Sequence, residues 1–75
     1  MPINPKQARE TLGLNQTEMS AAMGVHRNTW LKWERDEQNI SAAPARLLET
    51  LLWLQEKNML AEFLKRFASP LVHKP

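Results

Sequence analysis

The feature that most constrains this chain is its helix punctuation, because start and stop signals recur at short intervals along its first half. Asn4 precedes Pro5, and proline suits a first turn, where its missing N–H would have no helical partner anyway. Ala8 and Leu12 then share a face at i, i+4. Gly13 follows as a stop, since glycine takes left-handed backbone angles without a Cβ clash. These signals predict a first helix over 5–12. Asn15-Gln16-Thr17-Glu18 has the form of a capping box, in which Asn15 accepts from the Glu18 amide and Glu18 reaches back to the Asn15 N–H. Met19, Ala22 and Met23 give this second, two-turn helix an apolar face, and Gly24 ends it. Val25 and His26 form the connector. A third helix is predicted from Arg27 to about Arg35, with Trp30 and Trp33 at i, i+3.

Downstream the pattern coarsens. The polar run from Asp36 to Ser41 reads as a loop. Ser41 or Ala42 leads into a fourth helix with Pro44 in its first turn and a broad stripe of Leu47, Leu48, Leu51, Leu52 and Leu54. Gln55-Glu56-Lys57-Asn58 interrupts that stripe and leaves two readings open. Either Asn58 caps a fifth helix carrying Met59, Leu60, Phe63, Leu64 and Phe67, or one helix runs through 43–67. Ser69-Pro70 ends the helical stretch, and the tail LVHKP is expected to fray. Strand signals are almost absent. The expectation is an all-α fold, a small bundle of four to five helices in one domain spanning 1–75. A domain of this length buries only about 60% of its unfolded surface, so packing against a second copy is expected to help.

Composition removes several function classes. There is no cysteine, so neither disulfides nor cysteine-based zinc sites are available. The two histidines are far apart, no Gly-rich phosphate loop or HExxH motif occurs, and the carboxylates are scattered. Neither enzymatic activity nor a metal or cofactor is expected. No apolar run approaches the ~18 residues of a membrane span, and the N-terminus lacks the apolar stretch of a secretory signal. A reduced, cytoplasmic protein with no membrane partner is expected.

Net charge is only +2, but it is unevenly spread. Up to residue 35, Lys6, Arg9, Arg27, Lys32 and Arg35 outnumber Glu10, Glu18 and Glu34. From 36 to 62 the balance reverses, which sets one end of the molecule to approach a polyanion. That end carries two short helices joined by Met23-Gly24-Val25-His26, with small Ala21 and Ala22 for close packing. This is the sequence outline of a helix-turn-helix over about 16–35, whose second helix enters the major groove. An aromatic pair at helical spacing is core far more often than a ligand platform, so Trp30 and Trp33 are read as facing inward. Arg27, Asn28, Leu31 and Lys32 then point outward together. Arginine can donate twice to guanine, asparagine can pair with adenine, and a leucine can meet a thymine methyl. Without the motif, the same set would read as a solvated helix face. Asn15 and Gln16, at a helix start where free amides favour anions, suit phosphate contact. The hydroxyls of Thr17 and Thr29 join that set, and His26 reads either as a neutral capping or packing residue or, lying close to the start of the third helix, as a phosphate contact.

The run Leu12-Gly13-Leu14-Asn15-Gln16-Thr17-Glu18-Met19, then Gly24-Val25, Trp30 and Trp33-Glu34-Arg35, resembles the Cro/C1-type helix-turn-helix family of phage and bacterial repressors. The resemblance covers about residues 5–54. It implies a lambda-repressor-like five-helix bundle that binds operator DNA as a dimer. By that resemblance Gln16 matches a glutamine used on the sugar-phosphate backbone and near the bases, and Arg27, Asn28 and Lys32 match base-reading positions. Arg9 and Glu34 match a salt bridge beside the DNA, while Arg35 and Asn39-Ile40-Ser41 match a phosphate-contacting region. Three positions depart from the family pattern. His26 stands where Ser or Thr is commoner as a cap, Trp30 where a smaller Ile or Val is usual, and Asp36-Glu37 where a glycine-containing turn is familiar. The last places two negative charges near the DNA side unless the loop turns away.

The apolar set Met59, Leu60, Phe63, Leu64 and Phe67 exceeds what a four-helix core needs, and part of it is expected to form a dimer surface within 52–68. The functional expectation is a dimeric repressor of double-stranded operator DNA with an inverted repeat, on the nucleoid of a bacterial cell and of the kind found in phage or mobile-element operons. The alternative is a protein-interaction module, such as an antitoxin whose last helices bind a toxin.

Overall fold

In the computed structural model, which describes residues 3–67, the local signals act where the sequence places them. Helix α1 spans Pro5–Leu12, α2 Gln16–Met23, α3 Arg27–Glu34, α4 Ala42–Glu56 and α5 Leu60–Phe67. Asn4 Oδ1 accepts from the Gln7 amide at 3.0 Å and opens α1. The Asn15–Glu18 capping box is complete, with its two bonds at 2.8 and 2.9 Å. His26 and Ser41 stand at the starts of α3 and α4 but cap with no side-chain bond. Residues 1–2 and 68–75, which include the expected fraying tail and the last residue of the 52–68 segment, lie outside the described part.

Four helices end the same way, with a residue in the left-handed region just past the helix and two amides folded back onto the last carbonyls. Glycine fills that position after α1 and α2, at φ of 75° and 71°. After α3 it is Asp36, at φ 62°, and after α4 it is Asn58, at φ 60°. The Glu37 amide donates to Lys32 O at 2.9 Å, and the Met59 amide to Leu54 O at 2.8 Å. Asp36 therefore does the backbone work of the glycine that the family turn would carry. Asn58 closes α4 rather than capping α5. The carbonyl before α5 belongs to Met59, which accepts from the Phe63 amide at 3.1 Å. The open question between one long helix and two is thus answered by a sharp turn at 57–59.

That turn has a packing reason. Helix α2 lies against α3, α1 against α4, and α5 folds back onto α4. The core joins Ala8 and Leu12 of α1, Met19, Ala22 and Met23 of α2, both tryptophans of α3, Leu48 and Leu51 of α4, and Leu60 of α5. Trp30, Met19, Leu48 and Leu51 are fully buried. The two tryptophan rings meet edge-on at 5.8 Å, a geometry that adds about 0.5–1.5 kcal/mol beyond area burial. Leu60 was expected on a dimer surface. It is instead a core residue, because folding α5 back drives its first turn into the bundle. Phe63 and Leu64 are half-buried against the same core, whereas Met59 and Phe67 are exposed. Trp53, on the outer side of α4, is also exposed, with Lys57 Nζ 5.9 Å from its ring centroid. The sequence reading did not single it out, since its spacing alone does not separate it from the leucine stripe. No helix among the described residues is long and apolar enough to cross a membrane.

Candidate nucleic-acid interface

Helix α3 is two-faced in the manner its spacing requires. Trp30 is 0% exposed and Trp33 6%, while Arg27, Asn28 and Lys32 stand exposed. Leu31 is only half-exposed, so its apolar surface forms part of the floor between the polar side chains rather than a projecting contact. Among the described residues, neither Arg27 nor Lys32 takes part in an ion pair. Both cations keep their charge available to an incoming anion.

Beside this face sits a carboxylate hub. The Glu34 side chain is only 6% exposed, and a buried carboxylate needs donors to survive as a charge. It has them from three helices. Arg9 of α1 pairs with it through Nε, and its Nη2 donates to Oε1 at 3.4 Å. Gln16 Nε2 of α2 donates to Oε1 at 3.1 Å. The Trp30 indole N–H, one turn earlier on α3, donates to Oε2. Arg9 is fixed further by donating from Nη1 to Leu14 O at 3.1 Å. Burial by itself pushes the Glu34 carboxyl up, but hydrogen bonds from Arg9, Gln16 and Trp30 outweigh it and hold the group below its ordinary range. The reciprocal hydrogen bond to Glu34 raises the Arg9 guanidinium. Both therefore stay ionised at neutral pH.

The hub has an outlet toward the exposed face. Because ionised Glu34 can only accept, Gln16 must turn its amide NH2 inward. Its carbonyl oxygen is then left facing out, where Arg27 Nη2 donates to it at 3.4 Å. A hydrogen-bonded chain thus runs from α1 through the hub to the first residue of α3. It borders an open hollow of about 390 Å³ lined by Lys6, Gln16, Arg27, Leu31, Glu34 and Arg35. Three of these six side chains, Lys6, Arg27 and Arg35, are cationic, and the one carboxylate is already neutralised by Arg9.

The fold brings together Arg9, Gln16, Arg27, Leu31 and Arg35 of the candidate residues. It adds Lys6, which the sequence reading counted only toward the basic excess, although it lies one helical turn before Arg9. Asn15, Thr17, His26 and Ser41 are exposed and Thr29 is half-exposed. The Asn15 carbonyl oxygen is committed to its cap. Asn39 is exposed. It lines a separate hollow with Ile3, Asp36, Gln38 and Glu49, away from the basic one. Asp36 turns into that second hollow, so only Glu37 remains near the basic side, 4.0 Å from Arg35. An exposed pair of this kind contributes about 0–1 kcal/mol and yields easily to a stronger anion.

A short helix on a two-tryptophan base, packed across a second helix through a glycine turn and presenting free cations, defines the helix-turn-helix class of DNA-binding domain. The comparison of sequences agrees: the helix-turn-helix family matches residues 6–52, and the chain belongs to that family as a DNA-binding transcription regulator of the Cro/C1 type. No curated protein and no solved structure matches the chain.

Proposed function

We propose that this protein is a dimeric transcriptional repressor that reads an inverted-repeat operator in double-stranded DNA. The observation that carries the reading is the division of α3, with its tryptophans buried and Arg27, Asn28 and Lys32 exposed beside the Arg9–Glu34–Gln16 chain. Arg27 and Asn28 read base edges, Leu31 offers apolar contact to a thymine methyl, and Lys32 reaches a guanine or a phosphate. Gln16, Asn15, Thr17, His26, Thr29, Arg9, Arg35 and Ser41 line the duplex backbone on either side, and Lys6 joins them. Asn39 has the weakest support of that set, because it faces the other hollow.

Dimerisation is supported by apolar side chains left uncovered along α5 and just before it. Met59 is 50% exposed and Phe67 64%, with half-buried Phe63 and Leu64 beside them. Two copies joined there would present two α3 helices to successive major grooves, with half-sites about 10–10.5 bp apart or a multiple of that. Steric exclusion of polymerase, including at the protein's own promoter, fits a small regulator of a phage or mobile-element operon in the bacterial cytoplasm.

Selection of bound duplexes from a random pool, with a solution mass, tests the proposal. An inverted repeat bound with a steep negative salt slope, about −0.9 per phosphate neutralised, supports it. Absence of any selected motif sinks it. The same exposed apolar groups, with Trp53 at 53%, favour one second reading, an antitoxin-like module that binds a partner protein. That reading prevails if Arg27→Ala and Lys32→Ala leave DNA binding untouched while Phe67→Ala abolishes association with the partner.

A further inference from the structure

Both tryptophans of α3 are buried in one core, yet their indole N–H groups fare differently. Among the described residues, Trp33 Nε1 is buried without a hydrogen-bond partner. Trp30 Nε1 donates to Glu34, the carboxylate that also holds Gln16. A smaller aliphatic residue at position 30 would fill core volume and supply no donor. We propose that Trp30 is a positioning residue for DNA reading: its indole N–H fixes the Glu34 carboxylate, which orients Gln16 and, through Gln16, Arg27.

Three features of the geometry support this. Glu34 and Trp30 are one turn apart on α3, so this bond ties the carboxylate to its own helix in addition to the bonds from α1 and α2. Trp30 is 0% exposed and its ring packs edge-on against Trp33, so the surrounding core sets where its donor points. With Oε2 occupied by Trp30 and Arg9 Nε, Oε1 receives Gln16 at 3.1 Å beside the longer 3.4 Å contact from Arg9 Nη2, and this turns the Gln16 carbonyl toward Arg27. Removing the N–H frees the carboxylate to rotate toward Arg9 alone. Gln16 and Arg27 then lose their common anchor, and base choice relaxes while general phosphate attraction persists. The proposal rests on the DNA-reading assignment of α3, and its test keeps the two separable.

The matched pair Trp30→Phe and Trp33→Phe provides that test, because both remove the same part of an indole from the same core but only one removes a bonded donor. Binding is measured on a selected operator duplex and on random duplex, with unfolding followed in parallel. Trp30→Phe is expected to lower the ratio of specific to random binding about fivefold to tenfold, the equivalent of ~1–1.4 kcal/mol. Trp33→Phe should leave that ratio within about twofold, and so should Trp30→Phe when it is made on top of Glu34→Met, which keeps the length of the side chain but no strong acceptor. The second readout needs no DNA. The Glu34 carboxyl carbon is titrated by NMR in the intact chain, where Arg9 and Lys6 of α1 and Arg27 and Arg35 of α3 are the charges that face or flank it. Its midpoint should rise in Trp30→Phe and stay put in Trp33→Phe. If Trp30→Phe does not fold, benzothienylalanine at position 30 keeps the ring shape and deletes the N–H. Equal specificity ratios for the two phenylalanine variants, or an unmoved Glu34 midpoint, overturn the role of Trp30. If the wild-type chain selects no duplex while the midpoint still moves, the DNA assignment fails and the hub stands.

Discussion

Replacing Glu34 by alanine strips three donors of their shared acceptor at once. The Arg9 side chain is only 14% exposed, so its guanidinium is left as a mostly buried cation with the Leu14 carbonyl as its one remaining partner. Breaking a buried pair by removing one member costs about 3–5 kcal/mol, because the stranded charge has lost both water and counter-charge. Arg9 keeps some water at its rim, which favours the low end. The orphaned Trp30 N–H adds part of the ~1–3 kcal/mol that an unsatisfied buried donor costs, though coupled losses do not sum fully. Together these give roughly 3–4 kcal/mol at neutral pH. For a chain of 75 residues, total stability of ~0.05–0.15 kcal/mol per residue is only about 4–11 kcal/mol. At ~4–8 °C per kcal/mol for a domain of this size, Glu34→Ala should lower Tm by roughly 12–30 °C. Circular dichroism during thermal and urea unfolding reads this directly. Adding Arg9→Met to the alanine variant removes the stranded cation and should recover ~1–2 kcal/mol of the loss. A loss below ~1 kcal/mol, or a double variant less stable than Glu34→Ala alone, would show that the pair behaves as an ordinary surface bridge and refute this reasoning.

The low carboxyl of Glu34 carries a pH signature. A carboxylate whose folded value lies below the ordinary 4.5 stabilises the fold fully above that pH and loses its contribution as pH falls through the lower folded value. The stability gap between wild type and Glu34→Gln should therefore be full at neutral pH and close on acidification, and a gap independent of pH in urea titrations contradicts the assignment. Leu60→Ala should cost about 2–5 kcal/mol as a core deletion. Phe67→Ala should stay within ~0.5 kcal/mol of wild-type monomer stability while weakening self-association in sedimentation, and the reverse ranking would place Leu60 outside the core. Asp36→Asn keeps a side chain that tolerates the left-handed turn but removes a negative charge from the C-terminal end of α3. It should raise stability by ~0.3–1 kcal/mol at low salt, and an unchanged urea midpoint would remove the charge from the account.

What the sequence determined by itself is whatever acts within a turn or so of chain. The Asn4 cap, the Asn15–Glu18 box, the Gly13 and Gly24 stops and the inward tryptophans are all local consequences of side-chain reach and backbone freedom, so they are legible one segment at a time. The outward face of α3 follows from the same periodicity. The Arg9–Glu34 pair was expected only by resemblance to a family, since 25 residues separate its members and spacing alone joins nothing at that distance. What the tertiary structure decided is which of several permitted local states wins. Nothing in 55–58 forbids helix. Turning at Asn58 lets Leu60 reach the core, and burying that side chain outweighs a continued helix. The same docking takes Leu60 off the surface and leaves Trp53 and Phe67 on it, because burial depends on which elements arrive from elsewhere in the chain. The partners of Glu34 come from α1, α2 and its own helix, and only packing three elements at one point makes a single carboxylate hold them all.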